Sequence, residues 1–143
     1  MSPMASHRIK VLVVEDNAQV AEALQVTVER ESDLAWIGWI PSADRLAAML
    51  VDHRPDVAVV DLDMPGLDPF ACIRAMTEAG CVTRFIIFTG NAGLGAIEQA
   101  LGSGVWGYVC KSDGAEALLE ALRRVARGEF ALSPEARRVY QHR

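Results

Sequence analysis

Five short apolar runs, each followed by a segment with helical periodicity, constrain the fold of this chain most strongly. The runs cover residues 9–14, 34–40, 57–61, 84–88 and 105–110, and they are rich in β-branched and aromatic residues. Between them, apolar side chains recur at helical spacing. The predicted helix caps are Asp16 or Asn17, Ser42 for a helix over residues 43–53, Asp68 and Asp113. Strands that alternate with helices in this way predict a parallel sheet with right-handed crossovers and helices on both faces. The strand order does not follow from the pattern.

Length and composition narrow the class of protein. A chain of 143 residues suits one domain with one core and a short extension. Its formal net charge of −5 gives no electrostatic basis for this segment itself to bind nucleic acid or an anionic membrane. The three scattered cysteines indicate reduced thiols, and no apolar run reaches the ~18 residues of a membrane span. We therefore expect a soluble, cytoplasmic protein without a membrane partner.

Residues 56–66 carry the strongest chemical signal in the chain. The apolar residues 57–60 lead directly into Asp61, and Met64-Pro65-Gly66 ends the run. A buried central strand of this kind would place the Asp61 carboxylate at the carboxyl end of the sheet, where open α/β folds bind their ligands. A partly desolvated carboxylate is costly unless a cation or hydrogen bonds compensate it. We interpret Asp61 as a nucleophile that accepts a phosphoryl group.

Polar side chains also follow other strands, namely Glu15 and Asp16 after the first, Thr89 after the fourth and Lys111 after the fifth. Because these strand ends share one edge of a doubly wound sheet, the side chains can converge with Asp61. Clustered carboxylates raise one another's pKa values and favour a hard cation such as Mg²⁺. Asp16 and Asp61 would hold this ion. Lys111 and Thr89 would contact the transferred oxygens, which completes the groups needed for phosphoryl transfer to a carboxylate.

The motifs at these strand ends resemble those of the receiver domain of two-component response regulators. They are Val-Glu-Asp-Asn at 14–17, Asp-Leu-Asp-Met-Pro-Gly at 61–66, Phe-Thr-Gly at 88–90 and Gly-Tyr-Val-Cys-Lys-Ser at 107–112. Each motif is weak alone, but the four in this order are specific, and the resemblance extends over residues 8–128. It implies a flavodoxin-like doubly wound α/β fold, in which five helices flank a five-stranded parallel sheet of order 2-1-3-4-5.

By this resemblance, four acidic residues form the metal and phosphoacceptor site. Glu15 and Asp16 are the acidic pair for Mg²⁺, Asp61 is the phosphoacceptor, and the main chain at Asp63 supplies a metal-binding carbonyl. The donor would be a phosphohistidine on a sensor histidine kinase. The chain would then be a phosphoacceptor signalling domain, which assists its own phosphorylation and dephosphorylation, and not an enzyme.

Three further residues carry the implied switch. Lys111 contacts the phosphoryl group, and Thr89 is the switch hydroxyl that this group draws inward. Tyr108 lies at the aromatic switch position and would rotate into the vacated space, although a packed core tyrosine explains it nearly as well. Homodimer formation on phosphorylation is a further expectation. We also expect Trp106 to lie near enough to report on phosphorylation by fluorescence.

The ends of the chain are predicted to lie outside the receiver domain. We expect an N-terminal tail over residues 1–7, the receiver domain over 8–128, and a linker with a partial helix over 129–143. The segment 128–134 resembles the linker of the NarL/LuxR-type subfamily, whose helix-turn-helix output domain binds DNA. That output domain is expected to be missing here, either because the chain is cut or because it is a stand-alone receiver. The implied function is control of an output such as transcription.

Other classes of protein share parts of this pattern. The Asp61-x-Asp63 motif also fits haloacid-dehalogenase-type phosphatases, but there it ends the first strand, whereas here Glu15 and Asp16 come first. A flavin- or dinucleotide-binding module would need a hydroxyl-rich or GxGxxG loop after the first strand, and Val-Glu-Asp-Asn is neither. A purely structural interaction domain leaves the acidic cluster unexplained.

Overall fold

The computed structural model describes residues 7–64 and 68–142, which form a six-stranded parallel sheet with helices on both faces. The strands are β1 (Ile9–Val14), β2 (Leu34–Ile40), β3 (Val57–Val60), β4 (Arg84–Thr89), β5 (Gly107–Cys110) and β6 (Ala131–Leu132). The helices are α1 (Ala18–Glu29), α2 (Leu46–His53), α3 (Pro69–Glu78), α4 (Leu94–Gly102), α5 (Gly114–Ala126) and α6 (Pro134–Gln141). The strand order is β2-β1-β3-β4-β5-β6, which confirms the predicted doubly wound α/β fold and the order of its first five strands.

Two apolar cores lie on opposite faces of the sheet. Val57 and Val59 of β3 pack in the core formed with α1 and α5. Ala58 and Val60 pack in the core formed with α2, α3, α4 and α6. All four residues of β3 are buried, as predicted for a central strand, so the chain emerges from between the two cores at Asp61.

Local sequence signals account for several helix starts. The Asn17 side chain accepts two backbone N–H groups in the first turn of α1, and Asp68 caps α3 with Pro69 in the first helical turn. Ser42 was predicted to cap one continuous helix over residues 43–53. It instead caps a 3₁₀ turn, Ala43–Arg45, which leads into α2.

Asp113 stands at the start of α5 as predicted, but its side chain does not cap that helix. Asp113 ends a 3₁₀ turn, Lys111–Asp113, and makes no capping hydrogen bond to α5. Its carboxylate instead accepts a hydrogen bond of 2.9 Å from the backbone N–H of Glu135, in the first turn of α6. The first turn of α6 is therefore capped by Asp113, which follows β5 at the same end of the strand as Lys111.

The predicted count of five strands and five helices in the domain is also corrected. The segment over residues 129–143, expected to be a linker with a partial helix, docks on the domain and adds β6 and α6. Ala131 and Leu132 pair with Gly107 and Tyr108 of β5. The methyl groups of Ala131 and Ala136 are buried, at 4% and 0% exposure. Without β6, the edge of β5 would leave a row of backbone N–H and C=O groups unpaired, which explains why so short a strand docks there.

Trp106 does not lie near Lys111, contrary to expectation. It precedes β5 at the end of the strand opposite Lys111, where its ring stacks on Phe130 with 5.0 Å between the ring centroids. The Arg84 guanidinium lies 4.8 Å from the centre of the same ring.

Residues 1–6 of the predicted tail over 1–7 and the predicted turn at Pro65-Gly66 lie outside the described residues, as does Arg143. Within the described part of the chain, none of the helices is long and apolar enough to cross a membrane.

Candidate functional site

The carboxyl ends of β1, β3 and β5 bring Glu15, Asp61 and Lys111 into contact. The Lys111 Nζ atom lies 3.2 Å from Glu15 Oε1 and 3.3 Å from Asp61 Oδ2. Glu15 and Asp61 are 2% and 4% exposed, so two acids share one half-buried cation in a largely desolvated place. Such an arrangement is costly unless further positive charge or protons compensate the carboxylates.

Asp16 extends this pair to an acidic cluster. One carboxylate oxygen from each of Glu15, Asp16 and Asp61 lies within 4.8 Å of the others. Asp16 is exposed, so the cluster opens toward solvent on that side. A set of oxygen ligands with access for water fits a hard divalent cation, and Mg²⁺ in particular, better than a soft or imidazole-binding metal.

The pKa values of Glu15 and Lys111 indicate how a proton and the lysine balance the negative charge of the cluster. Burial, followed by the hydrogen bond with Asp61 and its charge, raises the pKa of Glu15 to about 7, although the Asn17 backbone N–H and Lys111 oppose this rise. Burial lowers the pKa of Lys111, but its contacts with Glu15 and Asp61 outweigh burial and leave that pKa above its ordinary value. A divalent cation would favour the ionised form of Glu15 in place of the proton.

Backbone hydrogen bonds fix the position of Asp61. Its N–H donates to the carbonyl of Val14 at 3.0 Å, which extends the pairing of β3 with β1. Its Oδ1 atom accepts the backbone N–H of Asp63 at 3.2 Å, while Oδ2 faces Lys111. The Asp63 side chain is exposed, and the predicted role of its main-chain carbonyl as a metal ligand stays a prediction.

Trp39 belongs to this site, although the sequence reasoning missed it. Its indole N–H donates a hydrogen bond to the backbone carbonyl of Glu15. The only signal was its place at the end of β2, one residue before Ile40 and two before Pro41, since the strand order puts that end beside the end of β1. A resemblance in sequence motifs alone gives no reason to look there.

The predicted switch residues, Thr89 and Tyr108, are both fully buried. Thr89 Oγ1 accepts the backbone N–H of Asn91 at 3.2 Å, and the Tyr108 hydroxyl donates to the Asn91 carbonyl at 2.5 Å. Burial raises the pKa of the Tyr108 hydroxyl. Among the described residues, neither hydroxyl is hydrogen-bonded to Asp61 or Lys111. Thr89 therefore lies at the predicted strand end without a hydrogen bond to the acidic cluster. Both hydroxyls bond instead to the backbone of Asn91, which lies in the loop before α4.

A family model for the response regulator receiver domain matches residues 11–123 of this chain. The chain belongs to that family. The match includes β1 to β5 and the acidic cluster, so the receiver domain was correctly recognised from its motifs. A receiver domain is a signalling domain.

Curated relatives of this receiver domain are named as transcriptional regulatory proteins. A probable transcriptional regulatory protein, SgaR of Hyphomicrobium methylovorum, is 30% identical over 132 residues, which cover 92% of this chain and 62% of the relative. The transcriptional regulatory protein DesR of Bacillus subtilis (strain 168) is 28% identical over 127 residues, or 89% and 63% of the two chains. This chain therefore spans somewhat less than two thirds of these relatives.

The fold comparison leads to the same family. The crystal structure of a LuxR-family two-component response regulator from Aurantimonas sp. SI85-9A1 is 25% identical to this receiver domain and has a TM-score of 0.89. The superposition covers 94% of this chain and 96% of that chain. The receiver fold agrees with the family match.

Proposed function

We propose that this receiver domain accepts a phosphoryl group on Asp61 in a Mg²⁺-dependent reaction and switches conformation to control transcription. The observation that supports Asp61 most directly is its contact with Lys111, because a buried carboxylate at 3.3 Å from a lysine lies where a transferred phosphoryl group could also reach that cation. Glu15 and Asp16 stand beside it as the remaining acids of the cluster.

The proposed donor is a phosphohistidine on a sensor histidine kinase. A carboxylate oxygen of Asp61 attacks the phosphorus and forms an O–P bond while the N–P bond of the donor breaks, and its electron pair returns to the imidazole. The Lys111 ammonium balances negative charge on the transferred oxygens. Glu15, Asp16, Asp61 and the predicted Asp63 carbonyl would hold Mg²⁺, which would supply electrostatic stabilisation of the same oxygens. The domain assists its own phosphorylation and dephosphorylation and does not turn over a separate substrate.

The proposed switch starts at Thr89. Its hydroxyl is the acceptor for the Asn91 N–H, and it exchanges that bond for one in which it donates to a phosphoryl oxygen on Asp61. Tyr108 responds because its hydroxyl donates to the same residue, Asn91. The change then reaches the surface around α4 and α5, since Asn91 lies in the loop before α4. This is a population shift between two packings of one loop.

Control of transcription is proposed from the relatives, which are named as transcriptional regulators. DNA would be bound only through an output domain outside these residues, and phosphorylation would favour a homodimer. Residues 8–128 are proposed as the receiver unit, with the following segment docked on it. The cytoplasm is the proposed location.

The test is to incubate the protein with a small phosphodonor such as acetyl phosphate and to measure its intact mass. We expect one labile phosphoryl group in the presence of Mg²⁺ and none with EDTA. The Asp61→Asn variant should lose the label, Lys111→Ala should reduce it, and Asp44→Asn, at an exposed aspartate of the 3₁₀ turn before α2, should keep it. Equal labelling of the wild type and Asp61→Asn would refute the assignment, and steady hydrolysis of an added phosphoester would indicate a phosphatase.

A further inference from the structure

Two consecutive residues of β2, Trp39 and Ile40, form hydrogen bonds with the backbone of Glu15. The Glu15 N–H donates to the carbonyl of Ile40 at 3.1 Å, as a continuation of the pairing between β1 and β2. β2 ends at Ile40, and among the described residues no backbone N–H continues the ladder to the Glu15 carbonyl. The Glu15 carbonyl accepts the Trp39 indole N–H instead. A side chain therefore supplies the hydrogen bond that the end of the strand does not.

This hydrogen bond explains a tryptophan in an unusual place. Trp39 is 38% exposed on an edge strand, whereas Trp36, on the same strand, packs against the core formed with α1 and α5. The Glu15 carbonyl belongs to a residue that is only 2% exposed, and a buried carbonyl without a hydrogen-bond donor is destabilising. Besides the surface that its ring buries, Trp39 thus makes a directional hydrogen bond at the site.

The position of Asp16 depends on that contact. Glu15 and Asp61 are each fixed through their carboxylates by Lys111, but within the described residues no hydrogen bond or ion pair holds the Asp16 carboxylate. The peptide group between Glu15 and Asp16 is planar, so the direction of the Glu15 carbonyl sets the plane from which Asp16 projects. The indole N–H fixes that direction.

We propose that Trp39 is a positioning residue for the metal-binding acids, and that it sets the place of Asp16 relative to Asp61 through the Glu15 carbonyl. The inference rests on the proposed function, since the ion to be bound is Mg²⁺. Replacement of a group that orients a metal ligand typically weakens metal binding by about 10–100-fold, and an indirect backbone contact belongs at the lower end of that range. We therefore expect Trp39→Phe, which keeps an aromatic ring but lacks the N–H, to weaken Mg²⁺ binding roughly tenfold.

The test is a calorimetric titration of Mg²⁺ into the wild type, Trp39→Phe and the matched control Trp36→Phe. The control carries the same substitution on the same strand, and Trp36 packs in a core and not on the Glu15 carbonyl. Only Trp39→Phe should bind weakly, and its Asp61 should still be labelled at the wild-type rate once Mg²⁺ is saturating. Equal affinity of wild type and Trp39→Phe, or equal weakening in both variants, would overturn the inference alone. Lack of Mg²⁺ binding by the wild type would instead overturn the proposed metal site and the inference with it.

A second measurement uses the metal-free wild type and needs no variant to bind metal. In a ¹⁵N spectrum, the Trp39 indole N–H should exchange with solvent slowly despite the exposure of its ring, because it is hydrogen-bonded to a buried carbonyl. The Trp36→Phe and Trp106→Phe variants identify the resonance by removing the other two indole signals. Exchange of the Trp39 indole as fast as that of free tryptophan would overturn the proposal.

Discussion

Replacing Glu15 with glutamine should remove a pH-dependent loss of stability from the metal-free protein. Burial first, and Asp61 second, raise the pKa of this carboxyl from 4.5 to about 7 in the folded chain. Unfolding returns the carboxyl to water and to its ordinary pKa. The folded protein therefore binds the Glu15 proton more tightly than the unfolded chain does. The stability that this proton provides is complete below about pH 4.5 and is lost as the pH rises through about 7.

The magnitude follows from the difference between the two pKa values. At 1.36 kcal/mol for each pKa unit, a rise from 4.5 to about 7 corresponds to about 3 kcal/mol. For a domain of this size, that free energy is equivalent to roughly 10 °C in the unfolding midpoint. Glutamine resembles the protonated carboxyl in size and charge, so the variant should not show this part of the pH dependence.

The assay is urea unfolding followed by circular dichroism, at pH 5 and pH 8 in EDTA. Between these conditions, the stability of Glu15→Gln relative to the wild type should increase by about 2.5 kcal/mol, because only the wild type must ionise a buried acid. The control is Glu98→Gln, at an exposed position of α4, whose difference from the wild type should stay constant. Added Mg²⁺ should reduce the loss in the wild type. A Glu15→Gln difference that is the same at both pH values, or that changes in the opposite direction, would refute the electrostatic reasoning.

Two further substitutions test contacts beyond the acidic cluster. Tyr108→Phe keeps the buried ring but removes the hydroxyl that donates to the Asn91 carbonyl, so the free energy of unfolding should fall by about 1 kcal/mol in urea; unchanged stability would show that this bond contributes nothing. Ser133→Ala removes the hydroxyl oxygen that accepts the buried N–H of Cys110 at 3.0 Å, and this should cost about 1–3 kcal/mol and speed amide exchange at Cys110. Ser112→Ala, at an exposed position nearby, is the control and should leave both measurements unchanged.

The parts of the fold that could be predicted from sequence are those with a local signal. The run over β3 is apolar and short, so its burial in the centre of a sheet followed directly. The capping roles of Asn17 and Asp68 depend only on neighbouring residues. Asp68 was predicted as found, and Asn17 is the one of the two predicted candidates, Asp16 and Asn17, that caps α1. Asp113 looks like the same kind of cap, but its carboxylate bonds to a backbone N–H from a helix much later in the chain. β6 has only two residues, too few for a period, and its pairing is decided by the open edge of β5.

In the candidate site too, some residues could be placed from the sequence and others could not. Glu15, Asp61 and Lys111 were predicted to meet because the carboxyl ends of parallel strands share one edge of the sheet. Trp106 was misplaced although the sequence order was enough to place it: it precedes β5 and Lys111 follows β5, so an extended strand separates the two residues. Trp39 was missed because its role depends on the place where β2 ends and on the direction of one indole group, and neither has a sequence motif.

The docked segment after α5 affects where this domain can be joined to another protein. The family match stops at residue 123, yet α5 continues to Ala126 and the chain then returns to pair with β5. A chimera with its junction at Gly128 would uncover an edge strand, deprive the Cys110 N–H of its acceptor and empty the space that Ala136 fills. Such an edge is a template for pairing between molecules, so the fusion would be prone to aggregate even if the fused protein were itself soluble. A junction placed after Gln141 keeps that edge covered.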